Sequence, residues 1–99
     1  MTMRFIEGSE AAPVLDWLDL TDAIAAGHRL PKGEISDVFQ RRGDNTLLSR
    51  HAWIAGLGVA VKTCLIFPGN AAMGKANING LVALYSDQSG ELEATLDFA

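Results

Sequence analysis

The 99-residue chain is predicted to fold as an α+β domain, and three observations predict it. Helix-forming patterns gather in residues 1–40, and strand-forming patterns gather in residues 47–99. The longest β-branched apolar run, from Gly58 to Phe67, lies in the second part. No internal repeat or low-complexity segment is present, so a single domain is expected. A chain of this length buries roughly two-thirds of the surface it exposes when unfolded, which sets a modest stability.

Taken in order, Arg4-Phe5-Ile6 has the composition of a short strand. Ser9 is placed to cap a helical turn, with Glu10 in the first turn and Pro13 early enough to be tolerated. Asp16, Asp19 and Asp22 favour a helix N-terminal end through the macrodipole, and their spacing reads as a solvated face rather than a catalytic cluster. Leu20, Ala23, Ile24, Ala26 and Leu30 form a helical stripe from about Asp19 to Arg29, and Leu30-Pro31-Lys32-Gly33 ends it. His28 is expected to face terminal carbonyls or solvent.

Residues 34–38 carry a weak strand pattern, and residues 40–45 read as a basic stretch leading into a turn. Residues 46–50 read as a strand and residues 53–56 as a loop. Gly58 to Phe67 is the strongest strand, stopped by Pro68-Gly69-Asn70. A glycine- and asparagine-rich loop follows through Asn77. Residues 81–85 and 93–96 then form a hairpin, with Asp87-Gln88-Ser89-Gly90 as its turn and Gly90 able to take positive φ.

Composition narrows the function classes. Hydrophobic residues at 48% and charged residues at 20% describe a globular chain, not a disordered one. No apolar run reaches the ~18 residues of a membrane span. The first five residues lack the basic and apolar regions of a signal peptide. The single cysteine, Cys64, excludes an intrachain disulfide and fits a reducing compartment, so a cytoplasmic location without membrane association is expected. Twelve acids against 8 bases leave a net charge of −4, which argues against a nucleic-acid partner.

Several chemistries lack their residues. Cys64, His28 and His51 lie in unrelated segments and fall short of a zinc ligand set. Neither a G-x-x-x-x-G-K-[ST] phosphate loop nor a G-x-S-x-G nucleophile elbow occurs. Gly56-Leu57-Gly58 resembles the start of a dinucleotide fingerprint, but Val61 replaces the third glycine and a strand follows where a helix is needed. A flexible entry into a strand is the expectation there.

Lys62 is the anomalous residue. Alternation places Val59, Val61, Thr63, Leu65 and Phe67 on one face and Ala60, Lys62, Cys64 and Ile66 on the other. Both faces are apolar, which predicts a strand covered on both sides. An ammonium there needs a partner, a route to solvent or a depressed pKa. It is either a snorkelling or edge-strand lysine, or a cation facing a cleft and able to hold an anion. Arg41 and Arg42 precede the neighbouring strand; an arginine and a lysine converging would clamp a small carboxylate, whereas two exposed loop arginines would not.

The segments Arg50-His51-Ala52-Trp53-Ile54-Ala55-Gly56-Leu57-Gly58-Val59-Ala60-Val61-Lys62-Thr63, Phe67-Pro68-Gly69-Asn70 and Ile78-Asn79-Gly80-Leu81-Val82-Ala83-Leu84-Tyr85 resemble the ornithine cyclodeaminase/mu-crystallin family. The similarity covers most of the chain, most firmly residues 39–99. It implies an N-terminal substrate-binding and dimerisation domain: a two-layer α/β sandwich with a mixed, largely antiparallel sheet and N-terminal helices. It further implies NAD(P)-dependent chemistry on amino acids or cyclic imines, such as conversion of ornithine to proline with ammonia release, in a cytoplasmic homodimer. A non-enzymatic, mu-crystallin-like small-ligand module is the alternative.

Residue by residue, Lys62 matches the family's carboxylate-binding strand lysine, and Arg41 matches its carboxylate-clamping arginine, with Arg42 the alternative. Asn77 falls where the family has Ser or Thr close to the dinucleotide. The ornithine-specific enzyme has an acidic residue on the strand before the lysine; residues 46–50 contain none, and Ser49 is nearest to that position. The family's Rossmann domain, with its glycine loop and acid/base residue, has no counterpart in these 99 residues. The resemblance therefore implies an N-terminal part that binds no dinucleotide and is catalytically inactive by itself.

Overall fold

The computed structural model describes residues 3–98, with side chains up to Asp97. In chain order the elements are β1 (Arg4–Ile6), α1 (Gly8–Ala11), a 3-10 turn (Ala12–Val14), α2 (Trp17–His28), β2 (Glu34–Arg42), β3 (Asn45–Ile54), β4 (Gly58–Ile66), a 3-10 helix (Pro68–Met73), β5 (Ile78–Tyr85) and β6 (Leu92–Phe98). The strands form one six-stranded sheet in the order β1-β6-β5-β4-β3-β2. Only β1 against β6 is parallel, so the sheet is mixed and largely antiparallel, and the fold is α+β as expected.

Three elements differ from the sequence reading, each because a partner outside the segment decides the outcome. Residues 40–42 belong to β2 rather than to a turn: Arg41 pairs with Thr46 and Arg42 with Asn45. The turn is confined to Gly43 and Asp44, and the positive φ of 61° at Gly43 suits a two-residue hairpin with glycine in its first central position. Trp53 and Ile54 extend β3 because Val59 and Gly58 pair with them. Helix α1 begins at Gly8, one residue before Ser9, because the Gly8 N–H donates to Asp97 Oδ1 from β6.

The helices cover little of the sheet. Helix α2 stands over one corner, where Leu20, Ala23 and Ile24 face Ile35, Ile54 and Leu57 across a groove of about 650 Å³. Among the described residues only Cys64 and Thr46 are buried. Trp17, Phe39 and Trp53 are 83%, 62% and 53% exposed. Burial is thus below the two-thirds expectation, and the expectation that the Lys62 strand is covered on both sides fails for this chain: Lys62 and Leu65 are both exposed. Apolar area of that kind is what a further layer or partner removes from water.

Candidate anion site on the central strands

Lys62 lies in the middle of β4, which has β3 on one side and β5 on the other. An edge-strand role for this lysine is therefore excluded. The residues opposite it are Arg50 on β3 and Val82 on β5. Arg50 is in turn opposite Asp37 on β2, and all three share one sheet face. The row reads Asp37, Arg50, Lys62 across three adjacent strands. Arg50 Nε donates to Asp37 Oδ1 at 3.0 Å.

Two cations directly opposite each other repel, and cross-strand neighbours sit about 5 Å apart at Cα. Asp37 offsets part of that cost. An exposed ion pair adds at most about 1 kcal/mol to stability, so its main effect is to orient the guanidinium. Together the row places an arginine and a lysine opposite each other on a largely apolar face, a charge-assisted donor set suited to a small carboxylate.

The residues singled out from sequence fall as follows. Arg41 shares the face of Lys62, whereas Arg42 is on the other face. Arg41 is two strands away from Lys62 and opposite the residue paired with Ile66, about 10 Å across and about 13 Å along the sheet. Both arginines border a cleft of about 400 Å³ with Leu65 and Phe67, and Lys62 is not in its lining. Asn77 lies in the loop after the second 3-10 helix, where its Oδ1 accepts from the Ala71 N–H at 2.9 Å. Its backbone carbonyl accepts from the Phe67 N–H at 2.7 Å. Asn70 Nδ2 donates to the Ala76 carbonyl at 2.9 Å, so both asparagines tie this loop together.

Arg50 and Asp37 were absent from the sequence-derived set. Reading residues 53–56 as a loop hides the register, whereas the tight turn at residues 55–57 places Arg50, not Ser49, opposite Lys62. Ser49 faces the other side, where its Oγ lies 2.9 Å from His51 Nε2, and Ser36 Oγ lies 3.3 Å from His51 Nδ1.

Among the described residues no group of three or more His, Cys, Asp or Glu side chains could hold a metal. Gly56 and Gly58 take positive φ, but they lie in the β3–β4 hairpin and lead into a strand. No helix N-terminus follows them to receive a phosphate, so these residues do not fit a dinucleotide. No helix among the described residues is long and apolar enough to cross a membrane.

No family model matches the chain. It is 38% identical over 94 residues to a Delta(1)-pyrroline-2-carboxylate reductase of Paracoccus denitrificans, covering 95% of this chain and 30% of the reductase. The fold matches an archaeal alanine dehydrogenase, solved as a dimer with bound NAD, at a TM-score of 0.81 and 20% identity over 94% of this chain. It also matches the Thermococcus litoralis Delta(1)-pyrroline-2-carboxylate reductase, solved with NADH and L-proline, at a TM-score of 0.71 and 14% identity over 94% of this chain.

These similarities are consistent with the N-terminal part of the ornithine cyclodeaminase/mu-crystallin family. The chain spans about 30% of the length of the curated reductase and 30% and 31% of the two solved chains. The curated relative and one of the solved ones are reductases, the other solved one is a dehydrogenase, and the two solved ones hold NAD or NADH.

Proposed function

We propose that this chain supplies the carboxylate-binding and subunit-contact part of an NAD(P)-dependent amino-acid or imino-acid oxidoreductase. The observation that carries the reading is the Arg50–Lys62 pair on one face of the central strands. In this reading Lys62 and Arg50 hold the substrate carboxylate, and Arg41 adds a cation at the far end of the same face. Asn77 would offer its amide nitrogen to the dinucleotide while its oxygen keeps the loop closed. The dinucleotide itself would be held by the Rossmann domain of the longer protein, and residues 1–99 would form one substrate-binding and dimerisation domain, without activity of its own.

The strand beside Lys62 bears on the choice of substrate. Ornithine carries a distal ammonium, and residues 46–50 offer no acid to hold it. A cyclic imino acid has no distal ammonium and needs no such acid. A Δ1-pyrroline-2-carboxylate-type substrate therefore fits the row better than ornithine does. The similarity to the Paracoccus reductase points the same way. A free, buried Cys64 fits the proposed cytoplasmic location.

The test is an NMR titration of the chain with pyrrole-2-carboxylate and with the neutral pyrrole-2-carboxamide. The acid is expected to shift signals around Arg50 and Lys62 at millimolar concentration, and the amide to leave them unmoved. Equal shifts from both, or none from the acid, would defeat the reading.

Homodimer formation is a separate expectation. Large apolar side chains lie exposed on both faces of the sheet, among them Phe39, Trp53 and Leu65. Sedimentation velocity should show concentration-dependent dimers at tens of micromolar, and a clean monomer throughout that range would contradict it.

A further inference from the structure

We propose that Asp37 is a positioning residue for anion capture, setting the direction in which Arg50 presents its guanidinium to a carboxylate beside Lys62. The inference rests on the reading of the Arg50–Lys62 pair as the carboxylate site. Asp37, Arg50 and Lys62 lie in line on adjacent strands, with Arg50 in the middle. Coulomb repulsion from Lys62 drives the guanidinium away, and a long arginine side chain has several rotamers in which to yield. Asp37 reduces that choice. It takes the inner nitrogen, Nε, at 3.0 Å, which draws the guanidinium toward β2 and fixes its plane. The contact engages Nε, so the terminal nitrogens of the fork can serve a ligand seated between the guanidinium and the ammonium.

The pair is an exposed one, with side chains 55% and 45% accessible, so its effect on folding is small. Its effect on binding is larger in proportion. A guanidinium already oriented loses less rotamer freedom when an anion arrives. The competing possibility is that Asp37 acts only as a counter-charge, weakening the field that an anion meets. The two roles predict opposite signs.

Asp37→Ala and Asp37→Asn separate them, with pyrrole-2-carboxylate as the probe and NMR titration of the same chain as the readout. Asp37→Ala removes the acceptor and the charge; Asp37→Asn removes the charge but keeps an oxygen for Nε. Positioning predicts that Asp37→Ala binds about fivefold more weakly and that Asp37→Asn stays within about twofold of the parent. The Arg50 Nε proton should exchange slowly with water in the parent and in Asp37→Asn, and rapidly in Asp37→Ala. Unchanged affinity in both variants overturns the proposal. So does tighter binding by both, which is the counter-charge result, and so does equal weakening of both. Lys62→Met keeps this test separate from the site itself: if it weakens binding while Asp37→Ala does not, only the role of Asp37 falls. If Lys62→Met binds as well as the parent, the carboxylate site falls with it.

Discussion

Lys62→Met is expected to weaken binding of pyrrole-2-carboxylate or proline by about tenfold or more, because a charge-assisted hydrogen bond contributes about 1.5–3 kcal/mol. Methionine keeps most of the aliphatic stem and removes the ammonium. The side chain is exposed, so folding stability should change by less than about 0.5 kcal/mol. Affinity and stability therefore separate in this variant, and a urea titration run beside the NMR titration shows whether they do. Arg50→Met should give a loss of similar size. Because Arg50 and Lys62 are direct cross-strand neighbours, the double variant should lose less than the two single losses combined. Full additivity would mean that the two cations do not share one anion. Parent-like affinity in Lys62→Met would remove the lysine from the site.

Gly58→Ala should be among the most damaging single substitutions to the fold. Gly58 opens β4 at φ 142°, and an added Cβ would lie 2.9 Å from the Tyr85 carbonyl oxygen. Both the backbone conformation and the space favour glycine there. The obstacle is main chain in β5, which cannot swing aside as a side chain does. The expected cost is about 2–3 kcal/mol, read as a lower urea midpoint. Gly43→Ala is the control, since Gly43 has φ 61° but nothing within 4 Å of an added Cβ. It should cost about 1 kcal/mol, the conformational part alone. Equal midpoints for the two variants would show that the close approach to Tyr85 does not matter. Gly58 opens the pairing with β3 that also sets Lys62 against Arg50, so this glycine helps to set where the site's cation stands.

Local chemistry decided much of this protein. The β-branched run of β4, the Gly90 turn at φ 74° and the hairpin it joins are visible in the residues themselves, because alternation and turn preference act over a few positions. The oddity of Lys62 was visible for the same reason: a lysine inside an apolar alternating run needs an explanation whatever surrounds it. Tertiary structure decided what that lysine stands beside. Residues 34–42 have little strand pattern of their own, and they are extended because β3 pairs with them along their whole length. Helix α1 starts where Asp97 reaches it from the far end of the chain. The row of Asp37, Arg50 and Lys62 depends on two turn lengths, at residues 43–44 and 55–57, and a one-residue slip at either would turn a member to the opposite face. Charge and composition are properties of single positions; adjacency across a sheet is a property of register, which only the paired strands set.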